Sequence, residues 1–186
     1  MRNAGASVGS GTISEHQDGG ELLRRVRQGS VDALGELYHA HADAVYTLAL
    51  RLTGSRADAE DVLHDVFLGL PRAAASYHER GRFAAWLGRV TARAALMRMR
   101  ARRRKRESPL EEAGSPAAAR GADPVDRIAL ERALARLPAP LRVVFVLKEI
   151  EGYSHEEIGG MLGITAANSA QRLSRAWRHL RREMTR

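Results

Sequence analysis

The segment that most constrains the fold runs from Ser154 to Arg182 and reads SHEEIGGMLGITAANSAQRLSRAWRHLRR. Its first serine, followed three residues later by Glu157, forms a capping box, a pattern that begins a helix. Leu162-Gly163-Ile164 has the composition of a tight turn, and Thr165 can cap a last helix that extends to about Met184. Two short helices joined by such a turn predict a helix-turn-helix, whose second helix presents its N-terminal residues to base edges in the major groove.

The last helix of this motif has an apolar stripe and a basic remainder. Its apolar residues recur at helical spacing, which favours packing over base stacking for the tryptophan; they are Leu173, Trp177, Leu180 and Met184. Arginines lie off that stripe, where they can meet phosphates: Arg172, Arg175, Arg178, Arg181 and Arg182. We predict a small core for the motif from Ile158, Leu162, Ile164 and Leu173.

Several side chains near the start of that helix can read bases. Asn168 and Gln171 lie one turn apart, and both can pair with adenine edges, whereas Arg172 can take a guanine or a phosphate. The alternative is an ordinary helical hairpin with a solvated basic face. Gly159-Gly160 counts slightly against the motif, because each glycine inside a helix costs about 1 kcal/mol.

The rest of the chain also has helical periodicity. Four helices are predicted before the arginine-rich segment: the second is capped by Ser30, the third by Ser55, and the fourth begins near Phe83 and carries Met97 on its apolar side. Pro71 is expected to kink the third helix or mark its end. VVFVL, residues 143–147, is β-prone, but its place between a proline and an acidic turn favours helix. We therefore predict an all-α chain.

Composition divides the chain into four segments. Residues 1–20 are rich in Gly, Ser and polar residues and are expected to form a disordered tail. Residues 21–106 form an N-terminal helical domain, and residues 125–186 form a C-terminal four-helix domain that contains the helix-turn-helix. Residues 107–124, rich in Pro, Gly, Ala and acid, read as a flexible linker that could span about 60 Å, so that the two domains need not touch.

Charge and composition exclude several classes of protein. The net charge of +8 favours a polyanionic partner, nucleic acid before membrane surface. The absence of cysteine excludes disulfides and thiolate metal sites, and no apolar run could span or enter a membrane, so we expect a cytoplasmic protein. His155-Glu156-Glu157 lacks the second histidine of a zinc-binding helix, and neither a phosphate loop nor a nucleophile elbow is present. We predict no enzyme, cofactor or metal.

Two charged clusters contrast with each other. Seven of the nine residues from Arg98 to Arg106 are basic, which favours an anionic partner. The third helix, by contrast, has an acidic cluster although the protein as a whole is basic, and Asp58, Asp61 and Asp65 share one face of it. That face is either solvated or docks a basic protein surface, and nothing local decides between these.

The order of these motifs resembles one protein family. AEDVLHDVFLGL, then Tyr77 and FAAWLGRV, an arginine run, a linker and LPAPLRVVFVLKEIEGYSHEEIGGMLGI follow one another as in extracytoplasmic-function (ECF) sigma factors of the sigma-70 family. The resemblance covers about residues 21–182. It implies a non-catalytic promoter-specificity subunit of bacterial RNA polymerase, with core polymerase and promoter DNA as partners and an anti-sigma factor as a further candidate partner.

The resemblance also implies roles for particular residues. The acidic third helix would dock on the clamp helices of the largest polymerase subunit through Asp58, Glu60, Asp61 and Asp65. The −10 element would meet Tyr77, Arg80, Arg82, Arg89 and Arg93, with a flipped base held by the loop of residues 77–82. The −35 element would meet Thr165, Asn168, Gln171, Arg172 and Arg175. The DNA backbone would meet Arg98, Arg102, Arg103 and Arg178.

Some positions depart from the family pattern. His64 replaces a usual glutamine, and Ala92-Arg93 and Met97 replace residues of the fourth helix that often contact bases. Ser169 and Ala170 likewise differ from the usual residues of the last helix. We expect Phe83 and Trp86, which match the aromatic positions of the family, to be core residues. The competing hypothesis is a free-standing helix-turn-helix regulator with a helical dimerisation domain.

Overall fold

The computed structural model describes residues 19–78, 83–107 and 125–184, and side chains within 19–78, 83–104 and 131–183. All regular structure in these ranges is helical, which confirms the predicted fold class. The N-terminal group comprises α1 (Gly19–Arg27), α2 (Val31–Thr53), α3 (Arg56–Ala73) and α4 (Phe83–Glu107), with a 3₁₀ turn at Ala74–Ser76. The C-terminal group comprises α5 (Val125–Arg136), α6 (Ala139–Phe145), α7 (His155–Leu162) and α8 (Ala166–Met184), with a π turn at Val146–Ile150 after α6.

Two expectations lie mostly or wholly outside these ranges. The tail predicted for residues 1–20 and the linker predicted for residues 107–124 are described only at residues 19–20 and 107.

Among the described helices, none combines the length and the apolar character that crossing a bilayer requires.

The predicted helix starts of the N-terminal group are confirmed by their caps. The Ser30 hydroxyl accepts a hydrogen bond from the Ala33 amide at 3.2 Å, and the Ser55 hydroxyl accepts one from the Asp58 amide at 3.3 Å. Both bonds satisfy amides that a helix start leaves without a backbone partner. Pro71 does not end α3, which continues to Ala73.

The core of the N-terminal group lies between α2, α3 and α4. Large side chains that are almost fully removed from water fill it: Leu37, Leu52, Val62, Leu70 and Leu87. Phe83 and Trp86 are also buried, as predicted. Met97 is 60% exposed, so the prediction that it lies on the apolar side of α4 is wrong. Ala95 and Leu96 are the buried apolar residues at this end of α4.

The β-prone run VVFVL is helical, as predicted, and every one of its side chains is buried. A helix that is apolar all round is stable only when it is covered on all sides. α6 meets this condition because Phe145 packs with α5 and α8, whereas Val143 and Val144 join the core of the N-terminal group. The two helical groups therefore share apolar core, although the length of the linker does not require them to touch.

Polar contacts accompany that shared core. Arg142 of α6 is buried, and its Nη2 donates to the Thr53 carbonyl oxygen at 2.9 Å, at the C-terminus of α2. Burial lowers the pKa of its guanidinium. Gly54 makes room for it: its φ is 69°, and a Cβ there would lie 2.5 Å from Arg142 Nη2. Nearby, Arg51 Nε donates to Glu131 Oε1 at 2.8 Å, an ion pair that joins α2 to α5.

Candidate nucleic-acid and protein-docking surfaces

The helix-turn-helix forms where the sequence predicted it. The Glu157 amide donates to the Ser154 hydroxyl at 3.2 Å, and the Ser154 amide donates to Glu157 Oε2 at 2.8 Å, so the capping box is complete. The bond from the Ser154 amide is the main reason that the pKa of Glu157 is lowered. The hydroxyl of Thr165 accepts from the Asn168 amide at 3.1 Å and caps α8, as predicted. The Thr165 side chain, which was predicted to contact the −35 element, therefore stabilises the start of α8.

Gly159 has a structural role that the sequence reasoning missed. The Ile164 amide donates to the Gly159 carbonyl at 3.0 Å, which closes the turn between α7 and α8. A Cβ on Gly159 would lie 2.7 Å from the Ile164 carbonyl oxygen, a distance that side chains essentially never adopt. Counting this glycine against the motif was therefore wrong, because the close approach requires it. A Cβ on Gly160 would meet nothing within 4 Å.

The face that α8 buries differs in part from the predicted stripe. Leu180 is buried, as expected, but the two other fully buried side chains are Ser169 and Ala176. Trp177 is 40% exposed and meets Phe145 edge to face, with ring centroids 5.1 Å apart. The Met184 side chain lies beyond the described ones. Of the predicted core of the motif, Ile158 is fully buried, whereas Leu162, Ile164 and Leu173 are half-buried.

Ser169 packs between the two helices of the motif. Its hydroxyl lies 3.0 Å from His155 Nδ1, across the junction of α7 and α8, and the side chain is fully buried. The departure from the family pattern at this position therefore changes packing between the two helices, and it cannot change a direct base contact.

The predicted reading residues lie on the opposite, outer side of α8. Asn168, Gln171 and Arg175 are exposed, together with Arg178, and Arg172 is half-buried. Arg172 Nε donates to Asn168 Oδ1 at 2.9 Å. The structure therefore brings four of the five predicted −35 residues, with Arg178 of the predicted backbone set, together on one accessible surface. We call it the α8 face: Asn168, Gln171, Arg172, Arg175 and Arg178.

The residues predicted for the −10 element are described only in part. Arg80 and Arg82 lie outside the described residues. Tyr77 is half-buried and packs edge to face on Trp86, with ring centroids 5.3 Å apart. Arg89 and Arg93 are exposed one turn apart on α4, on the same side as Met97.

A cleft of about 410 Å³ lies between α1 and the segment that follows α3, from the 3₁₀ turn to His78. Tyr77 and His78 line one side of it, and Arg24 and Arg27 of α1 line the other. That volume is within the range of small-ligand sites. The arginines of α1 have no recognisable motif around them in the sequence, so no site was predicted there.

The acidic cluster on α3 is partly used inside the molecule. Asp58 is buried, and its carboxylate is ion-paired with Arg98, at 3.5 Å, and with Arg102 of α4. Arg98 also pairs with Asp61. The prediction that Asp58 belongs to an exposed docking face is therefore corrected, because its charge is neutralised by residues predicted to bind the DNA backbone. Glu60 and Asp65 are exposed, and so is Arg103.

The C-terminal group lies close to α4. Arg100 Nη2 donates to the Met161 carbonyl oxygen at 2.6 Å. Burial raises the pKa of Tyr153 to about 12, with the charge of Glu151 adding to the rise and that of Arg89 opposing it. Burial also raises the pKa of Glu151. α7 and the segment before it therefore approach the α4 surface that holds predicted −10 residues.

Comparison with known proteins places these surfaces in a family. The family models described as Sigma-70 region 2 and Sigma-70, region 4 match residues 37–105 and 127–180. ECF RNA polymerase sigma factor SigM of Mycobacterium tuberculosis is 33% identical over 176 residues, covering 95% of this chain and 89% of SigM. RNA polymerase sigma factor CarQ of Myxococcus xanthus is 34% identical, covering 86% of this chain and 93% of CarQ. ECF RNA polymerase sigma factor SigE of Mycolicibacterium smegmatis is 36% identical, covering 83% of this chain and 62% of SigE.

Two solved structures share the fold. The sigma factor RpoE, in complex with the anti-sigma factor NepR from Bartonella quintana, superposes with a TM-score of 0.61 at 21% identity, covering 83% of this chain and 98% of RpoE. CnrH, in complex with the cytosolic domain of CnrY, superposes with a TM-score of 0.54 at 24% identity, covering 91% of this chain and 98% of CnrH. The two regional matches and the identities to SigM and CarQ show that the chain belongs to the ECF RNA polymerase sigma factors of the sigma-70 family.

Proposed function

We propose that this protein binds core RNA polymerase and directs transcription initiation at promoters that it recognises through −10 and −35 elements. The observation that carries the proposal is the presence, in one chain, of both sigma regions with an accessible acidic face on α3 and an accessible basic reading face on α8. A free-standing regulator needs no acidic docking face, and family membership does not favour it. The proposed role is non-catalytic, and it places the protein in the cytoplasm with the polymerase.

For polymerase docking we propose the exposed part of the α3 face, Glu60, Asp61 and Asp65. Asp61 is half-buried and pairs with Arg98, whereas Glu60 and Asp65 are exposed. Exposed carboxylates contribute mainly by electrostatic complementarity to a basic surface, as the family resemblance to clamp-helix docking implies. Asp58 is left out of this set because its charge is already paired.

For promoter recognition we assign the two helical groups to different elements. The predicted N-terminal domain, residues 21–106, would contact the −10 element through Tyr77, Arg89 and Arg93. The predicted C-terminal domain, residues 125–186, would contact the −35 element through the α8 face. Arg103 and Arg178 are exposed and suit phosphate contacts, whereas Arg98 and Arg102 are drawn toward Asp58. An anti-sigma factor is a candidate third partner, as NepR is for RpoE.

Docking raises the effective concentration of the α8 face near its DNA site, so a few base contacts can suffice. The protein alone is then expected to bind promoter DNA weakly, and the holoenzyme is expected to bind it specifically. Dimers that bind a palindromic site without polymerase would favour the free-standing regulator instead.

The deciding experiment is reconstituted transcription with core polymerase on a promoter library. We expect specific initiation with the wild-type protein and a loss of core binding for Asp65→Lys combined with Glu60→Lys. Asp43→Lys combined with Asp32→Lys is the matched control, since both are exposed acids of α2 outside the docking face. Equal loss of core binding in this control would show a non-specific charge effect. Normal core binding by the docking variant would remove the α3 assignment.

A further inference from the structure

The contact between Arg172 and Asn168 changes what each residue can read. Nε of Arg172 donates to Oδ1 of Asn168 at 2.9 Å, one turn earlier on α8. An asparagine that reads adenine presents both its amide oxygen and its amide nitrogen to the base edge. Here the oxygen is directed along the helix toward Arg172, so Asn168 is not oriented as an adenine reader.

Arg172 keeps the part of its guanidinium that recognises guanine. Nη1 and Nη2 make no hydrogen bond to any other residue that the structure describes, and together they can donate to O6 and N7 of a guanine. A bond to Nε fixes the plane of the guanidinium without using either terminal nitrogen. A long arginine held in this way loses less rotamer freedom when it binds than an unrestrained one does.

The surroundings of the pair make α8 a rigid support. The backbone amide of Asn168 is fixed by the Thr165 hydroxyl, and the neighbouring Ser169 is buried against His155. Ala167 and Ala170 are exposed, and their small side chains leave space for DNA to approach beside the pair.

We propose that Asn168 is a positioning residue, which holds Arg172 so that it reads a guanine in the −35 element. This inference rests on the proposed function, because it requires the α8 face to meet promoter DNA. It replaces the expectation that Asn168 pairs with adenine.

The test measures base preference at each −35 position by transcription with the reconstituted holoenzyme on a library randomised across that element. Arg172→Ala is expected to reduce selectivity for one guanine about 5- to 150-fold, the equivalent of the 1–3 kcal/mol that a bidentate pair provides. Asn168→Ala is expected to reduce selectivity at the same position about two- to tenfold, which corresponds to the ordering of one long side chain. Combined with Arg172→Ala, it should have no further effect at that position, since it acts through Arg172.

Two variants separate positioning from folding. Asn168→Asp keeps an oxygen that accepts from Nε and should retain the guanine preference, even if the added charge lowers overall DNA affinity. Ser174→Ala changes an exposed residue of α8 and should leave base preference unchanged. Because Asn168→Ala keeps the backbone amide that Thr165 binds, its thermal unfolding should match that of the wild type.

Other results would overturn the proposal. Loss of an adenine preference in Asn168→Ala, with the guanine preference intact, would show that Asn168 reads a base directly. An unchanged guanine preference in Arg172→Ala would remove Arg172 as the reader. A wild-type holoenzyme that initiates specifically but ignores the −35 sequence would refute this inference together with the −35 assignment of the α8 face, and it would leave polymerase docking and −10 recognition standing. Absence of specific initiation would refute the proposed function as a whole.

Discussion

At the scale of single residues, Gly159 determines how closely α7 and α8 approach. Its carbonyl accepts the Ile164 amide, and its missing side chain leaves space for the Ile164 carbonyl oxygen. The adjacent Gly160 has the same composition but open surroundings, so the two positions form a natural pair for comparison.

We expect Gly159→Ala to destabilise the protein by about 1–3 kcal/mol, because the new methyl group must displace backbone at the turn. Gly160→Ala should be neutral or stabilising by up to about 1 kcal/mol, since alanine favours helix more than glycine does. Thermal unfolding followed by circular dichroism measures both. Equal stability of the two variants would show that the turn relaxes without cost.

Residues whose partners are near in sequence were predictable, and those with distant partners were not. Ser30, Ser154 and Thr165 cap helices through amides three residues away, so their roles follow from local sequence. Asp58 meets Arg98 and Arg102 40 and 44 residues away, and helical spacing alone left it on an acidic face. Ser169 meets His155 through the geometry of a turn, which no periodicity conveys.

At the scale of helices, α3 and α4 are tied together by charge as well as by apolar contact. Asp58 is buried near the first turn of α3, where a carboxylate also favours the helix macrodipole, and it accepts from two arginines of α4. The same helix therefore has an inward acid that is paired within the fold and outward acids, Glu60 and Asp65, that we propose for docking.

We expect Asp58→Asn to lower the free energy of unfolding by about 1.5–3 kcal/mol, the range for a lost hydrogen bond to a charged group. Asp65→Asn should leave stability within about 0.5 kcal/mol, because its side chain is exposed. Urea unfolding measures stability, and core-polymerase binding of the folded variants measures docking. A stable Asp58→Asn protein that fails to bind core would return Asp58 to the docking set.

That VVFVL is helical could be predicted from the sequence. Which other helices bury its side chains could not. Pro140 and the acidic segment after the run indicate a helix, yet a uniformly apolar helix does not say which elements cover it. Its two sides face α8 and α2, and the second contact depends on packing between groups that the linker alone leaves independent.

At the scale of the whole molecule, the two helical groups are held together by Arg142, by the Arg51–Glu131 pair and by shared apolar core. Arg142 satisfies a carbonyl at the end of α2, so its loss leaves a polar group of the interface without a partner. The chain contains no cysteine, which allows specific labelling of each group.

Fluorophores on Val31→Cys of α2 and His179→Cys of α8, both exposed, report the separation of the groups. We expect single-molecule energy transfer to show mainly one short distance, and a larger population of long distances after Arg142→Met with Glu131→Gln. Arg136→Met with Glu183→Gln is the matched control, because that ion pair lies within the C-terminal group. An identical distance distribution in the interface variant would mean that apolar contact alone holds the groups together.

The apolar core shared by α2 and α6 has a thermal consequence. Any step that separates the two groups exposes part of α6 to water, and exposed apolar surface raises heat capacity by about 0.45 cal/mol/K per Å². The enthalpy of separation must then rise with temperature, and the free energy of separation must follow a curve and not a straight line. Calorimetry at several temperatures would show such a step as a positive contribution to the heat-capacity change.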